Sequence, residues 1–206
     1  MKYFFRIIFF IVACNTSLFS QVSDSEVENS WYGSVSIGAS TLEAKKAFKI
    51  DANVFEGFLG RNFILNKNFS LISGLEVMRV KGSYTSLIGQ HQYLLNEYLN
   101  IPISISYSKK SSEKISLFGG FGFYSSFLLK SKNEDFFNES VSVSKNLGAT
   151  FGIQSNLGLK FIINKSSYVN LAFKAKTDVY DSFKNNVQEY VITDFYSLQL
   201  GFGFIL

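Results

Sequence analysis

The stretch LNIPISISY, residues 99–107, alternates without a break: Leu99, Ile101, Ile103, Ile105 and Tyr107 fall on one face, and Asn100, Pro102, Ser104 and Ser106 on the other. A period of two marks a β-strand with two unlike faces. The fold turns on which face points outward, because a closed sheet can hide its apolar side in a core or present it to lipid.

Working outward from this run, the same alternation recurs over residues 31–42, 53–65, 68–82, 93–107, 115–129, 147–163, 168–180 and 195–206. No sustained 3.6-residue pattern interrupts it. Phe55, Leu59 and Phe63 oppose Glu56, Gly60 and Asn62, and Val169, Leu171, Phe173 and Ala175 oppose Asn170, Lys174, Lys176 and Asp178. Each run suffices to cross a bilayer as a tilted strand, which takes roughly 9–11 residues. The connections after even runs are short (66–68, 108–114, 164–167), and those after odd runs are long (43–52, 83–92, 130–146, 181–194). An even strand count with short turns on one rim and long loops on the other predicts an all-β, eight-stranded antiparallel transmembrane up-and-down barrel, located in an outer membrane with both termini periplasmic.

Composition agrees with strands: the 206 residues include 23 Phe and 11 Tyr but 1 Pro. Eight strands enclose a space that side chains alone fill, so the Phe- and Leu-rich face would overfill it. Gly120, Gly122, Gly201 and Gly203 on the polar face relieve crowding in a narrow lumen. The apolar face is therefore expected to meet lipid, and a side-chain-filled polar lumen to lie within. Closure would satisfy every backbone group that hydrocarbon cannot.

Charges on the inward face make the candidate site. If Asn66 centres its hairpin, Glu56 sits opposite Glu76, and two facing carboxylates in a confined space need a cation or a shared proton. Lys174 and Lys176, across the barrel, supply the charge. A fixed ion-pair network that plugs the lumen is expected, with a gated ion path or proton site as the alternative.

Residues 1–20 place Lys2 and Arg6 before an apolar stretch and end on small polar residues, the order of a secretory signal peptide. Cleavage after Ser20 competes with a lipobox-like IVAC in which Cys14 is lipidated. Residues 21–30, containing the acidic SDSEVE, form a short periplasmic lead-in, and residues 31–206 the barrel. The formal charge of +4 falls to +2 without the signal, and scattered lysines give no basis for nucleic acid binding. One cysteine and one histidine exclude an internal disulfide and a histidine-rich metal centre, and no cofactor is implied. Trp31, Tyr32, Phe69, Tyr107, Phe161, Tyr168 and Tyr196 are expected to form an aromatic girdle, with interior packing as the alternative.

YLNIPISISYS (98–108), FGGFGFYSSFLL (118–129) and the closing YSLQLGFGFIL resemble the PorT-like outer-membrane β-barrel proteins, small barrels common in Bacteroidota. The resemblance implies the barrel fold. It also implies a place as an accessory component of an envelope secretion machine, since the naming member is tied to secretion and gliding. Gln199, Gly201, Phe204 and Leu206 resemble the C-terminal signal by which barrel-assembly machinery recognises its clients.

The partners expected are outer-membrane lipid, the assembly machinery during insertion, and an extracellular or envelope protein. GGFGF (119–123) lies inside a strand with no Lys-Ser/Thr after it, so it is no phosphate loop. His91, with Ser86, Glu97 and Asp135 available in sequence, is the one candidate for an outer-rim lipid-modifying or proteolytic enzyme. The first expectation is a non-enzymatic barrel whose outer loops serve binding, adhesion or envelope structure. A soluble periplasmic lipid carrier is the structural alternative.

Overall fold

The computed structural model describes residues 29–44, 48–85, 91–135, 137, 139–164, 166–182 and 190–205. They form eight strands: β1 (Ser30–Ala44), β2 (Phe48–Ile64), β3 (Phe69–Thr85), β4 (His91–Lys110), β5 (Ile115–Asp135), β6 (Ser140–Asn164), β7 (Ser167–Ser182) and β8 (Tyr190–Ile205). Each strand pairs antiparallel with its sequence neighbour, and β1 pairs with β8 to close the barrel. Residues 1–20, expected as a signal peptide and including Cys14, the expected lead-in up to residue 28, and Leu206 lie outside the described residues.

The faces fall as the alternation requires. Ile37 is 65% exposed and Leu59 61%, whereas Glu56 and Glu76 inside are 1% exposed. Tilted strands of alternating character can bury polar side chains in this way only if the apolar side faces outward.

The expected long loops are a correction. Strands of 15 to 25 residues extend into each of the segments 43–52, 83–92, 130–146 and 181–194, through 43–44 and 48–52, 83–85 and 91–92, 130–135 and 140–146, and 181–182 and 190–194, so the strands themselves rise beyond the apolar belt. Along β2 the outward side chains change from Phe55 to Asn53, Asp51 and Lys49, while Val54, Ala52 and Ile50 turn inward. The alternation reverses polarity where the strand leaves hydrocarbon for water. Leu42, Ile50, Val54, Val80, Leu94, Leu128, Ile192 and Phe195 pack together inside this protruding collar. Burying each such side chain contributes about 1.5–3 kcal/mol. Contrary to the expectation of a polar lumen, the lumen is not polar throughout: its outer part is packed like the core of a water-soluble protein.

Bulges mark the same boundary. The register shifts between Thr41/Leu42, Glu97/Tyr98, Leu128/Lys130 and Phe151/Gly152, at or beside the positions where the outward face turns polar. At one of them Gly148 adopts φ 126°, a conformation that other residues rarely take. Pro102 leaves another mark: the β3–β4 ladder runs to Ser73↔Ile103 and resumes at Glu76↔Asn100, skipping the residue without an N–H.

Register in the second hairpin differs from the expected one. Phe58, not Glu56, faces Glu76, and Glu56 faces Met78. Asn66 does not centre the turn; its Oδ1 accepts from Asn68 N and Phe69 N, both at 2.9 Å, which places the turn midpoint one residue later.

Candidate functional site

Three layers of side chains fill the lumen. At the end formed by the β2–β3 and β6–β7 turns, Tyr32 stacks on Tyr168 with centroids 6.4 Å apart and tilts against Phe58 at 5.8 Å. Tyr32 and Tyr168 thus leave the expected girdle, because each alternates inward beside an outward neighbour. Trp31, Phe69, Tyr107 and Phe161 do face outward near this end, and Phe69 lies 5.1 Å from Tyr107. Tyr196 is outward but towards the opposite rim, next to Ala39. The inward tyrosines lie flat over glycines: a Cβ at Gly203 would overlap the Tyr168 ring, and one at Gly201 the Tyr32 ring.

The middle layer is ionic. Lys174 Nζ donates to Glu56 Oε2 at 3.1 Å and to Glu76 Oε2 at 2.5 Å. Lys176 Nζ donates to Glu56 Oε1 at 2.5 Å and also to Glu76 Oε1. Two carboxylates and two ammonium groups, all at least nine-tenths buried, form a closed ring of opposite charge. The residues read from sequence are brought together although the two glutamates are not paired residues, because lysines two apart on β7 span the offset between them. Ser36 donates to Glu56 Oε2 and Asn100 to Glu76 Oε1, each at 2.7 Å, so every carboxylate oxygen has a donor. Isolated buried charges are strongly unfavourable, and only such complete pairing makes them tolerable.

Above the ring, sequence reasoning did not single out Asp178. Its Oδ1 accepts from Tyr124 OH at 2.7 Å and from Thr150 Oγ1 at 3.2 Å, and its Oδ2 accepts from Ile192 N at 2.9 Å. The β7–β8 ladder runs only from Ser167↔Phe204 to Lys176↔Phe195, so Asp178, with Thr177 donating to Thr193 O at 2.7 Å, ties the strands where they part. A lone acid on an inward face, beside a reversal of the alternation, was the available signal.

The remaining candidates lie in the collar, with Asp135 opposite Gln92, the chain neighbour of His91. His91 Nδ1 and Thr85 Oγ1 are 3.1 Å apart at the exposed end of the β3–β4 hairpin. Glu97 is bound by Arg79 at 2.9 Å, Asp135 accepts from Phe137 N, and Ser86 lies outside the described residues. Of the C-terminal residues, Gln199 points inward and donates to Ser34 Oγ at 2.8 Å, Gly201 lies under Tyr32, and Phe204 faces outward. On the outer wall, Gly33 and Gly57 leave a shallow apolar groove of about 750 Å³ rimmed by Leu59, Val77, Leu200 and Phe202.

No protein-family model matches the chain, and no curated protein matches it. Among solved structures it is similar to Neisserial surface protein A, at 11% identity and a TM-score of 0.50, covering 85% of this chain and 97% of that one. It is also similar to Ail, the attachment invasion locus protein of Yersinia pestis, at 12% identity and a TM-score of 0.42, covering 87% and 99%. The outer-membrane enzyme PagL aligns at 12% identity and a TM-score of 0.39, over 85% and 99%. At such identities the likeness concerns the fold, a closed antiparallel barrel, and nothing of activity.

Proposed function

We propose that this protein is a non-enzymatic integral barrel of an outer membrane, closed to solutes, whose protruding collar is a contact surface for an extracellular or envelope protein. The observation that carries the reading is the opposition of the two faces: Leu, Ile and Phe around the outside, and a neutral Glu–Lys ring blocking the inside. A soluble lipid carrier needs the reverse, an apolar cavity within and polar side chains without. In this reading the short-turn side, where β1 begins and β8 ends, faces the periplasm, and residues 1–20 would take the chain there. Gln199, Gly201, Phe204 and Leu206 serve as the assembly signal in this reading. The test is fractionation with carbonate washing, then quenching of Trp31, the one tryptophan, by lipids brominated along the chain. Retention with strong quenching is expected; release into the wash contradicts membrane insertion.

The resemblance to PorT-like barrels favours a second reading, an accessory component of an envelope secretion machine. The groove at Gly33 and Gly57 is a surface in the apolar belt that another membrane segment could occupy. Co-purification after gentle detergent extraction separates it from the first reading, since a lone monomer counts against it. An enzymatic role would rest on His91, and unchanged lipid profile and proteolysis in His91→Ala removes it.

A further inference from the structure

We propose that one side of the collar, across β3 to β6, binds the phosphate groups of anionic glycolipid in the surrounding outer leaflet. The inference rests on the membrane reading above and adds a ligand to it. Directly above the outward row Val77, Leu99, Phe127 and Ala149, cross-strand pairing aligns Arg79, Glu97, Lys130 and Lys145. The next row holds Lys81 and Lys132 with Leu95 and Val143. Basic side chains thus enter the outward rows directly above the apolar belt, interleaved with Leu95 and Val143, which is where lipid headgroups lie against a barrel.

The patch is under-neutralised. Arg79 is paired with Glu97 and Lys132 with Glu134, but Lys81, Lys130 and Lys145 make no salt bridge among the described residues. The opposite side of the collar carries the other sign: Asp51 and Asp194 flank Thr41 in one row, and Glu43 faces Lys49 in the next. Such asymmetry around one ring orients binding of an anion to one side. Leu95 and Val143 between the lysines suit an amphiphile better than a soluble anion, because they offer acyl-chain contact beside the charge.

The test is a comparison in nanodiscs of neutral phosphatidylcholine, with the probe being diphosphoryl lipid A, its monophosphoryl form, or heparin as a soluble polyanion. Failure of the wild type to enter the discs overturns the membrane reading itself. With insertion achieved, the wild type is expected to retain diphosphoryl over monophosphoryl lipid A. The combined variant Lys81→Gln, Lys130→Gln, Lys145→Gln is expected to lose about tenfold or more of that retention. Lys49→Gln on the opposite side is expected to keep it. A heat-shifted gel band shared by all variants verifies folding. Equal retention in the triple variant, an equal loss in Lys49→Gln, or heparin binding without preference between the two lipids would overturn the proposal.

Discussion

Lys174 and Glu56, 118 positions apart in the chain, meet at 3.1 Å in the middle of the lumen. The contact joins β7 to β2 across the barrel, a link that no neighbouring-strand ladder makes, and it completes a ring of two carboxylates and two ammonium groups whose charges cancel, so that losing any single member leaves a net charge.

Removing one member is therefore worse than removing two of opposite sign. Glu56→Gln leaves an uncompensated buried ammonium and is expected to cost about 3–5 kcal/mol in urea unfolding from vesicles. The double variant Glu56→Gln, Lys176→Gln is expected to recover part of the loss. A double variant as unstable as the sum of the two singles would contradict the ring.

Gly203→Ala should push the Tyr168 ring away from β8 and destabilise the barrel by about 1–3 kcal/mol, as overpacking does. Tyr168→Ala in the same chain removes the obstacle. A thermodynamic cycle over the two substitutions should show positive coupling, and additive losses would mean that the ring does not rest on the glycine.

Asp178→Ala strips the Ile192 amide of its acceptor where β7 and β8 part. Because a buried unsatisfied donor costs about 1–3 kcal/mol, the effect should appear as local opening. Amide hydrogen exchange at Ile192 is the measurement, and it should accelerate while that of Phe123 in the belt does not.

Leu75→Arg places a charge in the apolar belt, and about 2–4 kcal/mol should be lost in lipid. Ser83→Arg, on the same strand but in the collar, should cost no more than about 1 kcal/mol. Similar values at both positions would remove the distinction between belt and collar.

The strand number, the outward apolar face and the four charged lumen residues were all legible in the sequence, since a period of two places every side chain on a known face once the strands are found. The collar was not. Its strands carry the alternation with inverted polarity, as in Lys49, Ile50, Asp51, Ala52, Asn53 and Val54, so a search for one apolar phase stops where the phase flips and takes the rest for loop. Tyr32 and Tyr168 misled in a related way, because an aromatic near a strand end suits either face, and only its parity with Trp31 or Val169 decides. The turn at Asn66 was mislaid by one residue because an Asn side chain accepting two backbone N–H groups sets the turn ahead of its centre.

The closed lumen is tested most directly by solute flux through liposomes carrying the purified barrel. With the Glu56–Glu76–Lys174–Lys176 ring and the tyrosine layer in place, permeation of ions and small sugars should not exceed that of protein-free liposomes. Steady small-solute flux proportional to the amount of folded protein would contradict it.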